Sequence, residues 1–558
     1  RLPQLAGRLC AALLPLARGL SLGRGAGAAS DAQLPAPWPL QGLFRLRGSE
    51  GILGHGSPLG DCESFECLSR FVGLPDAHYN WTASGQQVKG VDETNGVAWT
   101  GHVLHMTSQM WLGPQDSDRP RWQHLLVVVV PSNLDVARWG TLVAGRGSFQ
   151  STARPELEDG EGLQEAVHFA THTRGVAAVV FQVPNLGITL ATDFWHRARD
   201  EEPLKAYGWH WMMDHPDHPE GIMELPNAKA LVRAMDTVSS FTATLPTGRV
   251  EQFSLVGNSK RAMAVYMASA VDPRVKAIVP ACITLRIHEY LQKHLREYGG
   301  PPAGKMDYVN EQLYSLMDTQ SAEKLWRIID PWHYKERLSM PKFVMSYGQD
   351  EFFPPDHTRL WFSELPGRKY ARIIGNQVHR GWMKWDEASD HLPAAAAWLR
   401  GLMLEQPLPE LAWTVDNSSG AISVRQLSGP KPISASLWVA HTCDGRRRDF
   451  RAWNLDKGFE CERCGHIDLA RLFACVNDKV SWEQSELPAL DGSDGRAWLA
   501  QVSVPVDGRW AAFYADFEFE GPEAGSPNYR FSTEVSTVPN VFPYEVCTGV
   551  ACQLKALK

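Results

Sequence analysis

Apolar positions along the chain follow two different periods. From Leu68 to about residue 406, continuous apolar runs of strand length alternate with stretches whose apolar residues recur at helical spacing. The runs predict strands at Val97–Leu112, Trp122–Pro131, Gly140–Ala144, Val176–Val183, Phe253–Val256, Val275–Val279, Pro341–Tyr347 and Lys369–Ile374. Between them the spacing predicts helices over Glu161–Thr173, Asn227–Phe241, Ser259–Val271 and Leu392–Met403. Strands alternating with helices imply crossover connections, hence a mainly parallel sheet covered by helices, with ligands at the carboxyl ends of the strands. Thr284–Leu338 breaks the alternation. It reads as helices, among them Ile287–Tyr298 and Ala322–Ile329, broken by Gly299-Gly300-Pro301-Pro302. An all-helical insertion between two sheet strands lies where an active-site cap would lie.

After about Pro407 the period changes to two. Ile422–Leu427, Ala435–His441, Trp498–Val506 and Arg509–Gly521 read as short strands of a β-sandwich of immunoglobulin type. In the last, Ala511, Phe513, Ala515, Phe517 and Phe519 share one face, opposite Asp516, Glu518 and Glu520, the pattern of a half-buried strand. The expected division is a targeting or unstructured segment at 1–45, an α/β domain at 46–406 with the cap insertion at 284–338, and a β-domain at 407–558.

The strand-turn-helix at Val250–Val271 carries the chemistry. The apolar run stops at Gly257-Asn258, and Ser259 stands at the turn, where a nucleophile elbow would hold a hydroxyl above the sheet. Serine is also an ordinary helix cap, so this stretch alone leaves nucleophile and cap open. Asp350 follows the Pro341–Tyr347 strand and His379 follows Lys369–Ile374. The order Ser259, Asp350, His379 is that of an α/β-hydrolase triad, in which a base takes the serine proton and a carboxylate fixes the base's tautomer. Glu351 or Asp356 are alternative acids, and His357 or His391 alternative bases. The oxyanion hole would combine the Lys260 N–H with a backbone N–H near Arg146 or Gly147, in the turn Gly145-Arg146-Gly147-Ser148.

Several stretches resemble the PhoPQ-activated pathogenicity-related family, which includes autocrine proliferation repressor proteins. They are VGNSKRAMAVYMASAVDPRVKAIVP around Ser259, Met106-Thr107-Ser108-Gln109-Met110-Trp111, Phe181-Gln182-Val183-Pro184-Asn185, Val232–Thr237, Asp330-Pro331, Gly348–Phe353, Arg448–Arg451 and the Gly508–Gly521 strand. The resemblance runs from about Leu68 to Tyr544. It implies an α/β-hydrolase-like core with a C-terminal β-domain, in proteins that are typically exported. The chain departs from the family at Ala262, where a glycine is usual, and at Gly375, where Pro-Asn-x-x-His is usual. Arg261 also replaces the last glycine of the general Gly-x-Ser-x-Gly elbow.

Composition narrows the partners. A net charge of −8 and no long basic run argue against nucleic acid and against an anionic membrane surface, and no apolar run is long enough to span a bilayer. Leu9–Ala17 after Arg8, followed by Ala26-Gly27-Ala28, has the shape of a signal peptide; Arg18, Arg24 and the lack of acid before Asp31 keep an organellar transit peptide open. The chain has ten cysteines. In an exported protein they form disulfides, consistent with sequons at Asn80-Trp81-Thr82 and Asn417-Ser418-Ser419. The alternative is zinc at Cys461-x-x-Cys464 with Cys443 or Cys475. The expectation is therefore an exported serine hydrolase without a cofactor, acting on a peptide or ester. The β-domain would restrict access or bind a protein. A secreted signalling or binding protein on a silent hydrolase scaffold is the alternative.

Overall fold

The computed structural model describes residues 56–147, 161–379, 391–454, 461–468 and 474–557. The targeting segment expected at 1–45 lies outside them. Nine strands of the α/β region are β1 (Asn80–Val91), β2 (Ala98–Met110), β3 (Arg121–Pro131), β4 (Val136–Ala144), β5 (Gly175–Val180), β6 (Gln252–Asn258), β7 (Val275–Ala281), β8 (Lys342–Tyr347) and β9 (Lys369–Ile374). They lie side by side in the order β1-β2-β3-β5-β4-β6-β7-β8-β9. From β5 to β9 all neighbours are parallel, while β1, β2 and β3 add antiparallel strands at one edge. This is the mainly parallel sheet that the alternation predicts, in the α/β-hydrolase form that the family resemblance implies.

Strands buried on both faces explain why the runs are continuous rather than alternating: every residue of β5 and of β8 is buried. Two elements escape the pattern. β1 (NWTASGQQVKGV) is largely exposed, so its sequence carries no apolar period. The helix Glu201–Asp214 buries Lys205 beside Leu204, Trp209 and Met212, so its apolar residues form no single stripe. The helix expected at Asn227–Phe241 begins earlier and spans Glu224–Thr242; Pro226 lies in its first turn, where a missing N–H costs nothing.

Between β7 and β8 the described chain forms helices joined by turns and no strand, including Ile287–Tyr298, Met306–Asn310 and Gln320–Ile329. Asp330 ties this insertion together: its carboxylate accepts the Ile287 N–H at 2.8 Å and the Trp332 N–H at 3.0 Å.

Beyond residue 407 the strands are β10 (Glu410–Val415), β11 (Ile422–Ser428), β12 (Ser434–His441), β13 (Trp453–Asn454), β14 (His466–Asp468), β15 (Ala474–Val476), β16 (Glu483–Glu486), β17 (Ala497–Ala500), β18 (Ala511–Phe519), β19 (Tyr529–Ser532) and β20 (Ser536–Val538). The run read at Trp498–Val506 yields only the short β17. β19 pairs with β9 at Ser532↔Ala371, so β19-β18-β12-β16 continue the central sheet. β10-β11-β17 form a second antiparallel layer, whose Trp498 meets Phe517 of β18 at 4.8 Å between ring centroids. β18 is not half-buried: Ala512 and Tyr514 on its other face enter a core with Phe450, Val480 and Trp482. Asp516 on that face is buried against the Arg372 guanidinium of β9 at 2.6 Å. A charge can occupy a core position once it is paired, which the alternation of apolar and acidic residues does not reveal.

Cys62–Cys67, Cys443–Cys464 and Cys547–Cys552 are disulfides, and Cys475 is also disulfide-bonded. The Cys443–Cys464 bond uses two of the sulfurs that the zinc reading needed. Among the described residues no helix is long and apolar enough to cross a membrane.

Burial pushes the Asp330 carboxyl up to about 7 from an ordinary 3.8, outweighing its two backbone donors. The folded state therefore holds a proton that the unfolded chain releases near pH 4. The Asp330 contribution to stability is present below that pH, falls through the window from about 4 to 7, and is flat above. Asp330→Asn removes this loss. Denaturant titrations of both proteins at several pH values should show the difference between them changing by about 1.4 kcal/mol per pH unit at most within that window.

Candidate active site

Ser259 ends the turn between β6 and the helix Lys260–Val271 with φ 57° and ψ −127°, a left-handed conformation that a serine adopts only under constraint. Its N–H donates to the Ala281 carbonyl of β7 at 2.8 Å. Its side chain makes no capping hydrogen bond, so the hydroxyl is not spent as a helix cap. Gly257 is required two residues earlier: a Cβ there would lie 2.8 Å from the backbone of Arg261. Ala262 is fully buried on the same helix, and the extra methyl relative to the family's glycine is accommodated.

Lys260 is the first residue of the helix, where an N–H has no intrahelical acceptor. Gly147 follows β4, the parallel neighbour of β6, so both emerge at the same end of the sheet. The Gly145 N–H is taken by the Val180 carbonyl at 2.8 Å and so is not available as a second donor.

The other two residues meet directly. Asp350 and His379 leave the carboxyl ends of β8 and β9, and the Asp350 Oδ2 lies 2.8 Å from His379 Nδ1. The second carboxylate oxygen accepts the Phe352 and Phe353 N–H groups at 2.7 and 3.0 Å. This bond assigns the proton to Nδ1 and leaves Nε2 as the acceptor. The buried Cys282, one residue beyond the carbonyl that holds Ser259, places its thiol within 4.8 Å of both the Asp350 carboxylate and the His379 ring. Burial, with Asp350 beside it, pushes that thiol well up, so it stays protonated.

The alternative acids and bases occupy other roles. Glu351 Oε2 accepts the His379 N–H at 2.9 Å and so holds the histidine loop. Asp356 is ion-paired with Lys293 at 2.9 Å and with Arg448. His357 is fully buried with Nε2 3.1 Å from Ser346 Oγ, and burial lowers it to about 4. His391 begins the helix His391–Met403 with its ring 6.3 Å from that of Tyr347.

Two features had no signal in the sequence. First, Glu201 and Glu202 lie under the elbow. Lys260 Nζ reaches them at 2.8 and 3.1 Å, and Arg261 reaches Glu201 at 2.8 Å. Burial alone would raise the Glu201 carboxyl, but Arg261, Lys260 and Arg146 hold it well below the carboxylate range. Second, the C-terminal region forms a wall behind the Asp350–His379 pair. A Cβ on Gly348 would lie 2.3 Å from the Gly375 carbonyl and 2.5 Å from the Trp482 indole nitrogen, and one on Gly375 would lie 2.8 Å from Trp482 Cβ. Asn376 and Trp482 exchange two hydrogen bonds of 2.8 Å, and Gln349 Nε2 donates to the Val480 carbonyl at 2.7 Å.

A mainly parallel sheet with antiparallel strands at one edge, and with Ser259, Asp350 and His379 following the carboxyl ends of β6, β8 and β9, has the α/β-hydrolase fold. Residues 68–451 match the PhoPQ-activated pathogenicity-related protein family, and the chain belongs to that family. It is similar to Autocrine proliferation repressor protein A of Dictyostelium discoideum, 27% identical over 494 residues that cover 86% of this chain and 92% of the relative. Among solved structures it is similar to acetyl xylan esterase 1 from Thermoanaerobacterium sp. (12% identity, 59% of this chain and 92% of that one, TM-score 0.36). It is also similar to an acetyl xylan esterase from Paenibacillus sp. R4 (13% identity, 56% and 87%, TM-score 0.38).

Trp482→Ala would empty the wall behind both loops. Denaturant unfolding should show a loss of about 3–5 kcal/mol, the usual cost of removing a buried aromatic side chain.

Proposed function

We propose that the protein is an exported serine hydrolase that cleaves an ester or a peptide-like amide through Ser259, His379 and Asp350. The observation that carries this reading is the 2.8 Å contact between the Asp350 carboxylate and His379 Nδ1, on the loops after β8 and β9. His379 Nε2 takes the proton of the Ser259 hydroxyl as its oxygen adds to the substrate carbonyl carbon. The N–H groups of Lys260 and Gly147 receive the developing oxyanion. Collapse of the tetrahedral species breaks the bond to the alcohol or amine, which leaves with the proton held on His379. Water, deprotonated by the same imidazole, then hydrolyses the acyl-serine. The cycle uses side chains, backbone N–H groups and water.

Export is supported by the disulfides, which suit an oxidising compartment, and by the exposure of both sequon asparagines, Asn80 and Asn417. The substrate's class, peptide or ester, is left to the chemistry both share, an electrophilic carbonyl. The helices between β7 and β8 cap the site in this reading, and the outer strands beyond residue 407 offer a surface for a protein partner.

A second reading is a secreted signalling or binding protein on a catalytically silent scaffold. It draws on the name of the Dictyostelium relative, a proliferation repressor.

A fluorophosphonate probe decides between them. The wild type should label at Ser259, and Ser259→Ala should lose both the label and at least about 10³-fold of any carbonyl hydrolysis. A folded wild type that never labels would establish the scaffold reading instead.

A further inference from the structure

Two buried lysines line a cavity beneath the helices between β7 and β8, and neither ammonium has a hydrogen-bonding or ion-pairing partner among the described residues. Lys205 and Lys305 are only 7% and 6% exposed. They share the cavity with Trp209, Met263, Ile283 and Tyr308. Lys305 Nζ instead stands over aromatic faces, 4.8 Å from the ring centre of Tyr308 and 5.5 Å from those of Tyr290 and Phe352. Lys205 Nζ is 4.8 Å from the Trp209 ring.

The nearby acids are already committed. Glu202 accepts from Tyr308 at 2.6 Å and pairs with Lys260, and Glu201 serves Lys260 and Arg261. Glu224 is bound to the Trp209 indole N–H at 2.8 Å, and burial raises its carboxyl. Burial likewise lowers Lys305 to about 8. Glu202 faces both ammoniums through space and Asp350 faces Lys305, but neither lysine has a counter-charge in direct contact, and a buried charge without one is costly. Cation–π contacts offset part of that cost but supply no counter-charge.

The place is not remote from the reaction centre. The Phe352 ring lies 5.5 Å from Lys305 Nζ and 4.6 Å from the His379 ring, so one aromatic side chain separates the ammonium from the base. Gly304 permits this approach: a Cβ there would lie 2.5 Å from the Phe352 ring. Of about 320 Å³ of space free of protein atoms, part of it open to solvent, only about 20 Å³ is wide enough to centre a water molecule. That is about the room of one ordered water, so only a small head group reaching in from the part open to solvent can be held there, and a sugar ring or a nucleotide is excluded.

We propose that Lys205 and Lys305 form a carboxylate-binding subsite beside the reaction centre, taking either a carboxylate on the substrate or a small free carboxylate. The substrate form rests on the serine-hydrolase reading above; the binding site itself does not.

The full chain tests it. Acetate is titrated against chloride at equal ionic strength while the fluorescence of Trp209 and its neighbours and the thermal midpoint are followed, in wild type, Ser259→Ala, Lys305→Met and Lys205→Met. Methionine keeps the volume and removes the charge, and two separate lysines guard against one variant failing to fold. The expected result is a saturable, acetate-specific response in wild type and in Ser259→Ala, weakened at least tenfold in each methionine variant. No saturable response to acetate in wild type, an equal response to chloride, or an unchanged response in both methionine variants would overturn the proposal. A second arm separates the two sources, using 4-nitrophenyl acetate and mono-4-nitrophenyl succinate. A higher KM in Lys305→Met for the succinate ester alone assigns the subsite to the substrate, and equal effects on both esters assign it to a free carboxylate. Acetate binding without hydrolysis of either ester would refute the hydrolase reading and leave the subsite standing.

Discussion

A serine held in a left-handed backbone conformation is the constraint on which the rest of this structure turns. Such a residue costs about 1–3 kcal/mol and persists only where its surroundings leave it no alternative. Here the surroundings are strand β6 on one side and the buried helix Lys260–Val271 on the other, brought so close at Gly257 that a single Cβ would strike the backbone of Arg261. The Ser259 N–H is also anchored to β7 through the Ala281 carbonyl. The turn is over-determined by sheet and helix together, and its hydroxyl is kept out of the capping bond that serine usually makes at a helix start.

Charge around that turn is arranged as deliberately as the backbone. Lys260 and Arg261 follow the serine directly, and both are buried. Their side chains run back to Glu201 and Glu202 on a helix well before the elbow in sequence. The pairing offsets the cost of burying Lys260 and Arg261 and pins the start of the elbow helix.

The region after residue 407 does not stand apart from the α/β core. It prolongs the central sheet across the β9–β19 edge, with Arg372 and Asp516 paired inside the junction. The Trp482 side chain closes on Gly348 and Gly375, the backbones that lead to Asp350 and His379. Lys293 of the helix Ile287–Tyr298 and Arg448 share the Asp356 carboxylate, so insertion, acid loop and C-terminal region meet in one buried network. Gly375, where the family usually has proline, is explained by the same wall: a side chain there would collide with Trp482.

What the chain reveals without coordinates is everything that depends on local period and short spacing. Continuous apolar runs mark β3, β5 and β8 because both faces of the sheet are covered at these strands. The stop at Gly257-Asn258 marks the elbow, and residues just past strand ends mark the acid turn and the histidine loop. β1 and the helix Glu201–Asp214 left no such mark. One is an exposed edge strand without a buried face, and the other buries Lys205 against Trp209 of its own turn and pairs Glu201 and Glu202 with residues distant in sequence. The same holds for Asp516, which reads as solvent-facing and is buried against Arg372, and for Trp482 behind the Asp350–His379 pair. Hydrophobic period follows from which face of an element is covered, and covering is a property of neighbours along the chain only when they pack on each other. Charge pairing and close backbone approach join residues on elements that are separated in the chain, so only the tertiary structure decides them.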